Sequence, residues 1–249
     1  MVYMGSKNRI SKELLLIITK YLTKDMWYVE PFGGGANMID KVKHDKRLGN
    51  DYNEYLIILW KALQKGWIPP DEVNERKYKL YKKYKPFEPT TAFIGIICSF
   101  GANWFGSFAR NKSNRNYAKV GINNIMKQLP NIKEVLFTQG SYSDINIEGK
   151  GVWYCDPPYI NTTGYKDKFN HALFYTWVRF MISEGHIIYI SEYVAPDDFI
   201  SIWEKEVICN IDNKNNRVSK PIEKLFMYKP QYLGLRKKER LKRHLQRIN

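Results

Sequence analysis

Short apolar strands alternate with helical patterns through most of this chain, and that rhythm narrows its fold more than anything else in it. Trp27-Tyr28-Val29 reads as a strand ending at Glu30-Pro31, and Gly33-Gly34-Gly35 turns it into a helix expected from Ala36 to Lys43. Arg47-Leu48-Gly49-Asn50 is the next strand, closed by Asp51 and followed by a helix from Asn53 to Gln64. Ahead of both, Ile10, Leu14, Ile17, Ile18 and Tyr21 share one helical face of the segment Ser6 to Tyr21. Such alternation predicts a parallel, doubly wound α/β sheet. It breaks from about Gly66 to Pro130, where Arg76 to Lys85 interleaves bases with aromatics and Phe100 to Tyr117 is rich in Gly, Asn, Arg and aromatic residues. It resumes with strands at Val135-Leu136-Phe137, Val152 to Cys155 and His186 to Ile190, and a helix from about His171 to Glu184. Glu206-Val207-Ile208 and Lys224 to Tyr228 read as a terminal antiparallel pair. The domains expected are a main domain from residues 1–65 and 131–249, and an inserted, mainly helical subdomain at 66–130 carrying a basic hairpin.

Charge says what such a chain meets. Forty Lys and Arg against 25 acidic residues give +15 and a sequence pI near 9.5, an excess that favours polyanions through counterion release. Cys98, Cys155 and Cys209 form no CxxC pair, and His44, His171, His186 and His244 lack ligand spacing, so no metal and no disulfide framework are expected. A reducing, cytoplasmic setting follows, with no membrane span or signal peptide. The tail from Arg236 to Arg243 is a charge run, read as a solvated, partly disordered end or as a DNA contact.

Two motifs carry chemistry. Asp156-Pro157-Pro158-Tyr159 follows an apolar strand, at the carboxyl end where α/β sheets place ligands. The prolines fix the backbone and remove amide donors, which leaves carbonyls to accept hydrogen bonds. The exocyclic amine of adenine offers two hydrogens, one for the Asp156 carboxylate and one for the Pro157 carbonyl, and Tyr159 offers a face for an extruded base. The plain alternative is a rigid turn. The second motif is Glu30-Pro31-Phe32-Gly33-Gly34-Gly35-Ala36-Asn37, a strand-to-helix turn that a ligand can approach closely. Asp51, at the end of the next strand, suits two ribose hydroxyls, or else caps the following helix.

In this order the motifs resemble the Dam-like, D12-class N6-adenine-specific DNA methyltransferases in their alpha arrangement. Tyr3-Met4-Gly5-Ser6-Lys7 is similar to that family's opening, Asn50-Asp51-Tyr52-Asn53 to its NDxN, and Glu223 to Tyr228 to its last strand. The resemblance implies a Rossmann-like, seven-stranded methyltransferase sheet with the insertion as recognition subdomain. It also implies S-adenosylmethionine as cofactor and S-adenosylhomocysteine as product, without metal. Cofactor contacts then fall on Tyr3, Lys7, Glu30, Pro31, Phe32, Gly33, Gly34, Gly35, Asn37, Asp51, Tyr142 and Asp156. Catalysis falls on Asp156, Pro157, Pro158 and Tyr159. Gly140-Ser141-Tyr142 departs from the family's Gly-Asp-aromatic, with Asp144 nearby.

The partner implied is double-stranded DNA, read by a hairpin that takes in Trp104, Arg110, Asn111, Lys112, Arg115 and Tyr117, with Thr163 and Tyr165 on a loop that closes over the target. A solvated basic loop and a plain structural loop are the alternatives for these two segments. A monomer suffices for one flipped base, and a cognate restriction endonuclease is compatible with the resemblance. Methylation of another amine (cytosine N4, RNA or protein) and DNA binding without turnover are the competing functions.

Overall fold

The computed structural model describes residues 1–110, 116–160, 169–207 and 221–248. The chain divides into two compact units, Met1–Glu148 and Gly149–Asn249.

In the first unit, α1 (Ser11–Ile18) buries Leu14 and Ile18 and leaves Leu16 in solvent. The longer helix expected there is split, with single 3₁₀ turns at Lys7–Arg9 and Thr19–Tyr21 on either side. β1 (Trp27–Glu30), β2 (Arg47–Asp51) and β3 (Leu136–Gln139) are parallel, with Val29 opposite Leu48 and Asn50 opposite Thr138. Between β2 and β3, α2 (Glu54–Gln64) starts on Asn53, whose side chain accepts from the Tyr55 N–H at 3.1 Å. Leu56, Leu59, Trp60 and Leu63 recur at helical spacing and are buried, each contributing about 2 kcal/mol by leaving water.

The described part of residues 66–130, expected to be mainly helical, holds two α-helices and most of a third. α3 (Glu75–Tyr84) buries only Tyr78 and keeps Arg76, Lys79, Lys82 and Lys83 outside. α4 (Pro89–Ile97) begins with proline at its first position, where a missing N–H is harmless, and is buried from Thr91 to Ile97. α5 (Tyr117–Ile132) is capped by Asn116 and turns Ile125, Gln128 and Ile132 inward.

One expectation fails here. Residues 36–43 form no α-helix beyond a single 3₁₀ turn at Ile39–Lys41. Gly34 and Ala36 both take left-handed backbone, at φ +47° and +52°, which breaks the helical path. The Gln128 amide donates to the carbonyls of Gly35 and Ala36, at 3.2 and 3.1 Å, and so satisfies them from outside.

In the second unit, β4 (Gly151–Cys155) is wholly buried and runs parallel to β5 (Ile187–Glu192). α6 (His171–Ser183) lies between them in sequence and buries Phe174, Tyr175, Val178 and Met181. β7 (Ile222–Tyr228) is antiparallel to β5 and to β6 (Phe199–Glu206), with a register shift at Ser201/Trp203. The terminal antiparallel pair is therefore present, but its first strand starts at Phe199 and ends where the sequence had placed its beginning. The tail is ordered as α7 (Lys229–Ile248) rather than loose. Gln231 anchors its start, accepting from the Ile188 N–H at 3.1 Å and donating to the His186 carbonyl at 2.7 Å. With three strands in one unit and four in the other, the chain has the seven-stranded, Rossmann-like mixed α/β fold expected. No helix among the described residues is long and apolar enough to cross a membrane.

Candidate active site

The glycine turn of the first unit is built from strand ends. Gly33 follows β1 and its N–H donates to the Asn50 carbonyl of β2 at 2.6 Å. The Gly34 N–H donates to Asp51 Oδ2 at 2.9 Å, and the Asn53 N–H donates to Asp51 Oδ1 at 2.9 Å. Asp51 therefore ties the glycine turn to the start of the segment that leads into α2, whose cap is Asn53. Burial pushes the Asp51 carboxyl up, while the N–H bonds from Asn53, Gly34 and Tyr52 hold it down.

Tyr3 lies against the same turn. A Cβ on Gly34 would stand 2.8 Å from the Tyr3 ring, and one on Gly35 would stand 2.6 Å from the Tyr3 Cβ. No side chain fits at either place. Asn37 donates to the Met1 carbonyl at 3.0 Å, and the Trp60 indole donates to the Gly34 carbonyl at 3.1 Å. Lys7 is 8% exposed and Glu30 is buried, accepting from the Tyr28 hydroxyl at 2.8 Å. Phe32 and Tyr142 face each other with ring centroids 5.7 Å apart. Asp144 is spent locally, accepting from the Ser141 N–H at 3.2 Å in a capping box.

Two residues that sequence reasoning did not single out hold this site together. Asn50 is 2% exposed; its Nδ2 donates to the carbonyls of Pro31 and Gly140, at 3.1 and 3.0 Å, and its Oδ1 accepts from Thr138 at 2.9 Å. Gln128 reaches the turn from α5, and its Nε2 also lies 3.1 Å from Asp40 Oδ2. Asn50 stood inside a quoted motif; Gln128 had no signal at all.

The second unit places Asp156, Pro157, Pro158 and Tyr159 directly after β4. The Tyr159 hydroxyl donates to Glu223 Oε1 of β7, and the ring meets Tyr193 edge-on at 4.7 Å. Burial, then Asp156 and Glu223, push the Tyr159 hydroxyl far up, so it stays neutral. Glu192, the last residue of β5, is 0% exposed; it accepts from the Tyr193 N–H at 2.8 Å and the Ile160 N–H at 3.1 Å. His171 opens α6, and its Nε2 lies 2.9 Å from the Pro158 carbonyl. Glu192, Glu223 and His171 were all missed as site residues. The visible hint was a carboxylate ending an apolar strand.

Burial pushes the Glu192 carboxyl from 4.5 up to about 7; the two N–H bonds oppose this, and Asp156 and Glu223 reinforce it. An acid that holds its proton more tightly folded than unfolded stabilises the fold most at low pH. That contribution is fully present below about pH 4.5 and is lost as the pH rises through 7, at roughly 3 kcal/mol by conversion of the shift. Denaturant unfolding at pH 5 and pH 8 should show the wild type losing about that much more stability than Glu192→Gln. Parallel pH profiles for the two proteins would refute it.

Of the residues expected to meet DNA, Trp104 is half-buried, with ring centroids 5.1 Å from Tyr55 of α2 and 4.8 Å from Phe105. Arg110 is exposed and paired with Glu75 of α3, Nε to Oε2 at 3.1 Å. Tyr117 begins α5 and is half-buried. Asn111, Lys112, Arg115, Thr163 and Tyr165 lie outside the described residues. Among the described residues no group of three or more His, Cys, Asp or Glu could hold a metal ion.

Comparison with known proteins gives the site a context. The D12 class N6 adenine-specific DNA methyltransferase family matches residues 3–89, which contain the Tyr3–Lys7 opening, the glycine turn and Asp51. The modification methylase StsI of Streptococcus sanguinis is 24% identical over 193 residues; these are 65% of this chain and 28% of that protein, so the chain spans well under half of its relative. Among solved structures, HI0767 of Haemophilus influenzae, described as a methylase, shares 10% identity at a TM-score of 0.38, covering 90% of this chain and 91% of that one. SMU.472, described as a methyltransferase and complexed with SAH, shares 11% at 0.35, covering 90% and 53%. At those scores neither structure carries weight for function. The chain thus resembles the D12 class in its amino-terminal third, while Asp156-Pro157-Pro158-Tyr159 lies beyond the matched residues.

Proposed function

We propose that this chain, given its resemblance to the D12-class methyltransferases, transfers a methyl group from S-adenosylmethionine to the N6 amine of an adenine flipped out of duplex DNA. The observation that carries the reading is an intact Asp-Pro-Pro-Tyr turn at the carboxyl end of a buried parallel strand. It lies outside the stretch that matches the family.

The first unit's donor set fits the cofactor. The Asp51 carboxylate, held by backbone N–H groups of Asn53, Gly34 and Tyr52, turns its remaining acceptor capacity to the ribose hydroxyls, and Phe32 and Tyr142 supply aromatic faces for its adenine. Lys7 and Glu30 pair with the methionine carboxylate and amine, and the turn from Pro31 to Gly35, held by Tyr3 and Asn37, gives close backbone approach. When bound, the cofactor supplies an electrophilic methyl on a sulfonium.

In the second unit, the Asp156 carboxylate and the Pro157 carbonyl each accept one hydrogen of the target amine. This withdraws the nitrogen lone pair from the ring and aims it at the methyl carbon. The nitrogen would become positive on receiving the methyl, and the Asp156 carboxylate and Pro157 carbonyl would stabilise that charge as it develops. The methylated nitrogen is acidic enough to release its proton to water. Tyr159 stacks on the extruded base and Pro158 holds the turn rigid.

DNA is the partner proposed, with the +15 charge and the exposed bases of α3 as its electrostatic support. Exposed Arg110 is the base or phosphate reader proposed among the described residues. Its Glu75 partner competes with DNA, so Glu75→Gln should tighten binding by about threefold at low salt, whereas Arg110→Ala should weaken it by about tenfold. Fluorescence anisotropy on a labelled duplex measures both. No change in either variant removes Arg110 from the DNA surface.

Incubation with radiolabelled S-adenosylmethionine and unmethylated DNA, followed by nucleoside separation, tests the function. N6-methyladenine supports it. N4-methylcytosine overturns the choice of base, and no methylated base despite cofactor binding turns the search to RNA, protein or binding alone.

A further inference from the structure

The backbone flanking Tyr159 is gripped on both sides by side chains from elsewhere. On its amino side, the Pro158 carbonyl lies 2.9 Å from His171 Nε2. A carbonyl only accepts, so that nitrogen carries the hydrogen. On its carboxyl side, the Ile160 N–H donates to Glu192 Oε2 at 3.1 Å. The two holders come from different elements, β5 and α6, and stand 3.9 Å apart, Nε2 to Oε2.

Each holder is itself fixed. The second Glu192 oxygen is tied to the Tyr193 N–H at 2.8 Å, and the carboxylate is fully buried. The His171 ring is braced edge-on by Phe169 at 4.9 Å, and Phe169 by Phe174 at 5.5 Å. Pro157 and Pro158 have no N–H, so the turn offers few polar handles. Two of those few, the Pro158 carbonyl and the Ile160 N–H, are held in this way.

We propose that Glu192 and His171 act as a positioning couple, fixing the backbone around Tyr159 and thereby the direction of the Pro157 carbonyl that receives the substrate amine. The inference rests on the proposed methyl transfer for its catalytic consequence, but not for the grip itself. Neither residue touches the reacting atoms. Misdirecting an acceptor by about 1 Å costs on the order of 100-fold in rate, and a couple that only aims the turn acts on kcat rather than on cofactor binding.

The experiment has two arms. In the first, kcat, KM for DNA and cofactor Kd are measured for wild type, His171→Ala and His171→Gln. His171→Ala should lose about 30- to 100-fold in kcat with cofactor Kd within threefold of wild type. His171→Gln keeps a terminal N–H donor and should recover to within about fivefold. An unchanged kcat in His171→Ala, or equal losses in both variants, overturns the proposal. In the second arm, hydrogen exchange at the Ile160 amide is followed in wild type and Glu192→Ala at matched melting behaviour. Loss of protection by at least about tenfold is expected, and unchanged protection overturns the grip. A wild type that methylates no substrate defeats the proposed function, and the exchange arm still decides whether the couple holds the turn.

Discussion

Asp156→Asn should lower the single-turnover methylation rate by about 1,000-fold or more while leaving cofactor binding and melting temperature close to wild type. The substitution keeps size and shape, so the difference is one of charge and donor pattern. An Asn side chain offers one neutral acceptor and an NH₂ group that confronts the substrate amine with hydrogens. Loss of one preorganised acceptor or donor at the point where charge develops costs about 100- to 1,000-fold in well-studied sites, and replacement by a repelling group adds to that. The fold has no reason to suffer. Asp156 is half-buried and adds to the negative potential that opposes ionisation of Glu192 and Tyr159. Removing its charge relieves that repulsion, so the Glu192 carboxyl should move back down from about 7 and the pH dependence of stability should flatten. Single-turnover kinetics, calorimetric cofactor titration and a thermal melt together test this. A rate within tenfold of wild type takes Asp156 out of the catalytic role.

What the sequence made legible was local. β1 and β4 are short runs rich in apolar residues and closed by Pro31 and Asp156, and the α2 pattern of Leu56, Leu59, Trp60 and Leu63 has the helical period, so each could be read from a few neighbours. β6 was misplaced because an outer strand with half-buried residues from Ile200 to Trp203 has no continuous apolar face, whereas Val207-Ile208 after it looks like one. The helix at 36–43 failed for a reason that composition hides. An alanine in left-handed backbone leaves no mark in the sequence, and its carbonyl meets Gln128, 92 residues away. α7 was read by charge alone, although Leu, Lys, Arg, Gln and Glu are all strong helix formers. At the site, motif spacing led to Asp51 and to Asp156 through Tyr159. The supporting residues, Gln128, His171, Glu192 and Glu223, are visible only once strands and helices bring distant segments together.

Asn50 shows how far such support reaches, and Asn50→Leu should destabilise the protein by roughly 3–5 kcal/mol and weaken cofactor binding by at least about tenfold. Leucine fills nearly the same volume, so the loss does not come from a cavity. It comes from three partners left without a bond: the Pro31 carbonyl, the Gly140 carbonyl and the Thr138 hydroxyl. Each unsatisfied buried polar group costs about 1–3 kcal/mol, and Asn50 is 2% exposed, so water does not replace the amide cheaply. The cofactor effect follows from where those carbonyls lie. Pro31 precedes Phe32 and Gly140 lies two residues before Tyr142, so the amide that joins them also sets the spacing of the two rings, 5.7 Å between centroids. Thr138→Val breaks one of the three bonds and should cost about 1 kcal/mol with the ring pair intact. Denaturant unfolding and cofactor titration on the two variants separate the contributions. If Asn50→Leu costs no more than Thr138→Val, the two carbonyls have found other donors, and the amide is not what sets the spacing of Phe32 and Tyr142.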